Sequence, residues 1–360
     1  HILRELIGPF LFGVAAFTSL MFAGKELFNI TELLAEGLVP IGIAVELMLL
    51  QLPSIIVLTL PMSMLLAALL GFGRLSGDSE TVALFAGGIS LYRIAVPVVL
   101  MSMLVTALSF VLSEVVVPKT STAHERIFRE VKDTAGSSAK PFVVVDAGKG
   151  VTRSIFYVQN GYDMKKRSLR NVAMVQYVDN EPAIFIYGRE AVWKGRNEWS
   201  FRDGYWKSVG RESVTDGQTM TMSFLESKTV KIEKTPEQIA LYDRRPVELS
   251  FAELRSYIRM LEEEGQEVAE HKVRLYQKIA LPLASLVFAL VGTPLGLRPQ
   301  RSSSAMGLGL SIFIIFAYWI LMHYMTILGE GGAISPVAAS FIPTVTGIAT
   351  GLFLIARAAK

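Results

Sequence analysis

The sequence predicts a membrane α-helical protein with six spanning helices and an all-β domain inserted between the third and the fourth. Three observations carry this reading. Apolar residues make up 51% of the 360, and the mean hydropathy is positive, a balance rare in a soluble domain of this length. The apolar residues are gathered in runs of the roughly 20 residues that cross hydrocarbon. Between the third and fourth runs the character changes to short β-rich segments.

The spans are expected at Ile7–Ile30, Leu47–Phe72, Leu91–Val117, Ile279–Leu297, Ala305–Leu328 and Ile334–Ala356. The first is broken late by Lys25 and Glu26, and the second contains Pro53 and Pro61. Prolines are tolerated in spans because neighbouring helices satisfy the freed backbone groups. The first run is too long for a signal peptide and leads only to more spans. The opening residue is His1 rather than Met, which predicts a native start upstream.

Orientation follows from the basic residues of the short loops. If the spans alternate, Arg4, Arg74, Arg93, Arg298, Arg301, Arg357 and Lys360 share one side. The opposite loops, 31–46 and 329–333, carry Glu32, Glu36, Glu46 and Glu330 and no Lys or Arg. Both termini are therefore expected in the cytoplasm and the insert outside, which is the periplasm in a Gram-negative cell. Three regions result: spans one to three over 1–118, the insert with its flanking helices over 119–272, and spans four to six over 273–360.

The insert reads as β. "FVVVDAG", "SIFYVQNGY", "VAMVQYV", "PAIFIYG", "WSFRDGYWKSV" and "TMTMSFLESKTVKI" are rich in β-branched and aromatic residues, with Asn160-Gly161 and Asp203-Gly204 as hairpin-type pairs. A sandwich, jelly roll or small barrel would suit such strands. Phe156, Val158 and Tyr162 alternate with Ile155 and Tyr157, so both faces can be apolar. One would cover the core and the other something else, unless both simply fill a sandwich; with the aromatic load of Phe156, Tyr157, Phe185, Tyr187 and Phe224, an open end or a groove between sheets could hold acyl chains. Helices are expected at 119–133 and 249–270; in the second, Ser250 and Glu253 form a capping box ahead of Leu254, Ile258 and Leu261.

Candidate catalytic chemistry is sparse. There is no cysteine, which excludes thiol catalysis and disulfides. "GFGRLSG" lacks the Gly-Lys-Ser/Thr of a phosphate-binding loop. His1, His124, His271 and His323 show no metal-ligand spacing. No catalytic residue, metal or cofactor is assigned, and a net charge of +3 gives no reason to expect nucleic acid. Any work done must draw on a partner or a gradient.

The stretch "DSETVALFAGGIS", 78–90, lies between the second and third spans. On a helix Val82, Phe85 and Ile89 fall together and Glu80 points away, with Asp78 or Ser79 placed to cap the start. Such a helix, greasy beneath and acidic outward, can couple a permease to a soluble ATPase, or be an ordinary interfacial helix.

"PMSMLLAALLGFGRLSGDSETVALFAGGISLYRI" (61–94) and "KIALPLASLVFALVGTPLGLRPQRSSSAMGLGLSIFIIFAYWI" (278–320) resemble the lipopolysaccharide export permease family. The order of three spans, β insert and three spans matches as well. The resemblance implies a non-enzymatic permease of the bacterial inner membrane, with a periplasmic jelly roll. It implies a cytoplasmic ATPase dimer, a second permease subunit (a paralogue or a copy of itself), and periplasmic jelly-roll bridge proteins that receive lipopolysaccharide. The family's acidic coupling position falls on Glu80, with Ser79 and Phe85 beside it. Its lysine near the outer end of span one falls on Lys25. Its basic residues after span three have Arg126 and Arg129 as the nearest counterparts, offset by one. By itself Lys25 could equally anchor the helix by reaching the interface or pairing with Glu26 or Asn29. The alternatives are another ABC permease with a periplasmic domain, of the lipoprotein-extraction or mechanotransmission type and usually with four spans, or a membrane-anchored sensor or enzyme using His323.

Overall fold

The computed structural model describes residues 1–35, 37, 39–134, 141–148, 151–159, 161–163, 166–179, 181–208, 221–224, 227–232, 234–244, 246–297 and 304–358. The chain forms two compact units, His1–Arg126 with Ala269–Lys360, and Ile127–Val268.

Among its described residues the first unit has six helices long and apolar enough to cross a membrane. Helix α1 (Ile2–Met21) runs through a π-turn, Phe22–Glu26, into α2 (Leu27–Ala35). The late break expected at Lys25 and Glu26 is this wide turn. Next come α3 (Ile41–Gly77), the short α4 (Glu80–Ala86) and α5 (Leu91–Val111). A second π-turn, Leu112–Val116, joins α5 to α6 (Val117–Thr134), so the helix expected at 119–133 continues the third span.

Lipid offers no hydrophobic drive for helices to associate, so close packing and hydrogen bonds must hold them. Helices α3 and α9 (Ala269–Gly296) form the inner pair. Gly292 and Gly296, four apart on α9, admit α3: a Cβ would lie 2.8 Å from Ala68 Cβ at the first and 2.9 Å from the Ala68 carbonyl at the second. Helix α10 is Ser304–Glu330 and α11 is Pro336–Ala358. Single hydrogen bonds supplement the packing. Thr18 and Thr59 share one at 3.0 Å, Gln277 Nε2 donates to Thr326 Oγ1 at 2.6 Å, and Ser340 Oγ donates to the Val273 carbonyl at 3.2 Å.

The second unit is an antiparallel sheet in the order β1 (Phe142–Gly148), β2 (Val151–Val158), β4 (Ser168–Val178), β5 (Glu181–Gly195), β6 (Glu198–Ser208), β7 (Thr221–Phe224). Strand β3 (Tyr162–Asp163) doubles the edge of β4, and β8 (Lys228–Lys231) that of β6. The fold class is therefore the expected one, membrane-spanning helices with an inserted β unit. One hairpin expectation fails. Asp203-Gly204 lies inside β6, where Gly204 faces Gly188 of β5. A Cβ on Gly204 would lie 1.9 Å from the Tyr187 carbonyl, so the glycine serves close strand approach. The β5–β6 turn is instead Arg196-Asn197, both with positive φ of 49° and 62°, as a type I′ hairpin requires. Asn160 lies outside the described residues.

Val144, Phe156, Met174, Ile186 and Trp206 stand in one row across the sheet and face the core. Ile239 and Tyr242 of α7 (Pro236–Asp243) pack against that core. Val144, Phe156, Met174, Ile186 and Ile239, fully buried, contribute roughly 1.5–3 kcal/mol each. Helix α8 (Phe251–Glu263) begins with the expected capping box: Glu253 N–H donates to Ser250 Oγ at 3.2 Å, and Ser250 N–H donates to the Glu253 carboxylate at 2.8 Å. Leu254, Ile258 and Leu261 are buried. A polar cluster links α7, the end of α8 and the chain after β8. Lys234 Nζ contacts Glu264 and donates to Tyr242 Oη at 3.0 Å, and Tyr242 Oη donates to Glu264 at 2.6 Å. Burial and that bond to Glu264 push the Tyr242 hydroxyl far above its ordinary value.

Candidate coupling surface and lipid-contacting residues

Helix α4 is short and leaves α3 through a sharp corner. Ser79 stands at its N-cap with φ 59° in the left-handed region, and its side chain makes no cap bond. Asp78 closes the end of α3 and faces Arg74 at 3.8 Å. The expected side-chain cap is thus replaced by a tight turn. The buried face also differs from expectation. Thr81 is buried and Leu84 and Ile89 pack on the bundle, whereas Val82 and Phe85 are 59% and 44% exposed. The corner at Ser79 rotates the helix so that Thr81 and Leu84 meet the core.

Glu80 accepts a 2.9 Å contact from His1 Nε2 and remains half-exposed. Beside it, His1, Ile2, Leu75, Ala83, Leu84 and Pro97 line an open cleft of about 530 Å³. Arg74 reaches Glu5 at 3.2 Å. An acid at the edge of an exposed apolar pair, on a helix braced by the bundle, can receive a complementary groove with a basic rim.

The three candidate headgroup residues are less fully placed. Lys25 is in the π-turn of span one, and its side chain lies outside the described residues. Arg126 is exposed on α6 and ends the first unit; Arg129 follows one turn later, its side chain also outside the described residues. No described contact joins them. His323 is exposed on α10.

The sheet has a second apolar face. Val143, Tyr157, Ala173, Tyr187, Tyr205 and Ser223 form one continuous row across β1, β2, β4, β5, β6 and β7. Val143, Tyr157 and Tyr205 are well exposed. The Tyr187 and Tyr205 rings lie 5.6 Å apart, and Phe185 is 6.1 Å from Tyr205. Of the five aromatics expected to meet acyl chains, Tyr157, Phe185 and Tyr187 are on this face. Phe156 is not: the alternation turns it into the core, where it is buried. The side chain of Phe224 lies outside the described residues.

Sequence reasoning did not mark the ion pair Lys278–Glu114, 3.8 Å apart, or Arg274–Glu330, 2.9 Å apart. The available signal was an ionisable residue at the margin of each apolar run.

A family model described as lipopolysaccharide export system permease LptF/LptG matches residues 1–357. The lipopolysaccharide export system permease protein LptG of Escherichia coli K12 is 24% identical over 325 residues, covering 86% of this chain and 84% of its own. The protein of the same description from Haemophilus influenzae is 24% identical over 324 residues, with the same shares covered.

Proposed function

Because the chain belongs to the lipopolysaccharide export system permease LptF/LptG family, we propose that it is the permease subunit that lifts lipopolysaccharide out of the inner membrane, driven by a separate ATPase. In this reading α4 faces the cytoplasm and receives a dimer of ATPase subunits. A second permease subunit completes the lipid path. The β unit lies in the periplasm and passes the lipid to bridge proteins of similar fold. The orientation rests on the Lys/Arg asymmetry of the short loops. Lys25, Arg126 and Arg129 are assigned to the phosphates of the headgroup, which an ammonium meets as a point charge and a guanidinium as a fork. The outer aromatic row of the sheet is assigned to the acyl chains.

The observation that carries the coupling role is the exposure of Val82 and Phe85 beside Glu80, on a helix whose other face, Thr81 and Leu84, is fixed to the bundle. The apolar pair would enter the ATPase groove and Glu80 would form a charge-assisted pair at its rim. Truncating one side of such a desolvated pair costs roughly 2–5 kcal/mol. Glu80→Ala is therefore expected to insert normally and to lose ATPase association, measured by co-purification of the ATPase and by ATP hydrolysis per assembled complex. Wild-type values for both would return α4 to the status of an interfacial helix. The six spans speak against the four-span lipoprotein-extraction type.

A further inference from the structure

Thr235 and Ser250 begin α7 and α8 in the extended region, at φ −77° and −65°, and each hydroxyl accepts the N–H three residues on. That is the ordinary work of an N-cap. Ser79 begins α4 differently, at φ 59° and ψ 12°, and its side chain makes no cap bond. Its backbone does two things instead. The Ser79 N–H donates to the Ser76 carbonyl at 3.1 Å and closes α3, and the Ser79 carbonyl accepts the Ala83 N–H at 3.1 Å and opens α4. No loop lies between the helices, since only Asp78 and Ser79 separate Gly77 from Glu80.

The torsion at this shared residue therefore sets the direction of α4. Two other helix ends that turn through the left-handed region, after α4 and after α8, place Gly88 and Gly265 there, at φ 77° and 72°. Glycine suits the region because a Cβ crowds the following carbonyl. Ser79 holds the same conformation with a Cβ and is itself exposed, so burial of its own side chain does not impose it. The groups that gain are those downstream: Thr81 is buried and Leu84 packs on the bundle. Moving φ to an ordinary value near −65° would swing the following chain by roughly 120° about one bond. Thr81 and Leu84 would leave the bundle, and Val82 and Phe85 would lose their outward aim.

We propose that Ser79 is the positioning residue of the coupling helix: its left-handed backbone, and not its hydroxyl, aims Val82 and Phe85 outward. The inference rests on the reading of α4 as the ATPase contact, and it makes Ser79 a residue that the ATPase need not touch. Glycine and asparagine tolerate the left-handed region and should serve in its place. Threonine keeps the hydroxyl but is β-branched, which makes it an outlier there.

The chain contains no cysteine, so single cysteines at Val82 and at Leu84 report which face of α4 is open. The full chain in nanodiscs, without ATPase, is labelled with a water-soluble maleimide, and ATPase binding is then measured on the cysteine-free chain. Val82→Cys should label faster than Leu84→Cys. Ser79→Gly and Ser79→Asn should keep that order and wild-type ATPase affinity. Ser79→Thr should abolish the difference in labelling and weaken ATPase binding about tenfold, the scale of a side chain unsuited to the left-handed region. Should Ser79→Thr fail to insert, Ser79→Ala, also unsuited to positive φ, takes its place in the comparison. The reverse order, with Ser79→Thr unchanged and Ser79→Gly impaired, would show the hydroxyl at work and overturn the proposal. So would wild-type behaviour of the whole series, or a rise in labelling at both cysteines in Ser79→Thr, which marks a frayed α4 rather than a turned one. Glu80→Ala keeps the two readings apart. Wild-type ATPase binding in that variant would sink the coupling role with the labelling order intact, whereas a silent Ser79 series beside an impaired Glu80→Ala would sink only the positioning role.

Discussion

The span unit and the β unit are both built on buried side chains, yet they are held by opposite means. Where α9 meets α3, glycine and alanine let backbones approach, and one hydrogen bond at a time ties a pair of helices. In the β unit the core is Phe156, Ile186, Trp199 and Phe201, large groups withdrawn from water, and a buried ion cluster sits at its margin. The difference follows from the solvent. A side chain gains little by leaving lipid for a helix interface, so fit decides. It gains in proportion to its area by leaving water, so size decides. An enlarged residue should then injure the first unit, and a stranded charge the second.

The largest effect is expected at the ion cluster. Lys234→Met leaves Glu264 buried beside Tyr242 without its cation, which should cost about 3–5 kcal/mol. Lys234→Met with Glu264→Leu should recover most of that loss. Unfolding of the β unit in the full chain, followed by near-ultraviolet circular dichroism, checks both; a single-variant loss below about 1 kcal/mol would place the cluster with surface pairs. Next is Gly292→Leu, which drives a side chain into Ala68. A cost of about 1–3 kcal/mol is expected in the span unit, read as a lowered melting temperature in detergent, with the β-unit transition unmoved. An unmoved span transition would show that α3 and α9 can separate without penalty.

A smaller effect concerns the start of α8. Ser250→Ala should cost about 1 kcal/mol. Burial acts to raise the Glu253 carboxyl, but the Ser250 N–H, the Arg244 charge and their side-chain bonds prevail and hold it below the usual range; Arg244 Nη1 lies 3.0 Å from it. A depressed folded value means that the unfolded chain binds more protons, so the stabilisation is present above the ordinary value of ~4.3 and fades as pH falls through the folded one. Glu253→Gln should flatten that acid limb in a pH series of β-unit melting, and an unchanged limb would remove Glu253 from it. The smallest effect is at the outer sheet face. Tyr157→Ser and Tyr205→Ser should stay within about 0.5 kcal/mol of wild type in β-unit stability, while lowering ATP-dependent photo-crosslinking to lipopolysaccharide. Unchanged crosslinking would separate this face from the lipid path.

How much of this was legible in the sequence depended on whether a local pattern decides the outcome. Hydropathy alone places the six spans, because lipid tests each helix singly. Alternation puts Phe156 and Val158 opposite Tyr157, and the Ser250 capping box marks α8. Helix α7 carries an equally local signal, Thr235-Pro236-Glu237-Gln238, a capping box with Pro at the first turn. Other features depend on partners distant in sequence. Asp203-Gly204 reads as a turn until Gly188 is known to lie across from it. Val82 and Phe85 read as the greasy underside of α4 until the corner at Ser79 turns Thr81 and Leu84 inward. The pairing of Glu114 with Lys278 joins residues on different spans, and no helical wheel brings them together.

The two π-turns, Phe22–Glu26 and Leu112–Val116, have a consequence for phase. An i→i+5 turn holds one residue more than an α-turn, and one residue is about 100° of rotation at 3.6 residues per turn. A stripe traced along α1 or α5 therefore emerges beyond the turn facing a different neighbour, and the segment after each turn is aimed independently of the part before it. Deleting one residue from either turn should leave a continuous helix of nearly the same length, with its C-terminal segment swung a quarter-turn away from its present neighbours. The bundle would remain, and only what lies at its rim would be redirected.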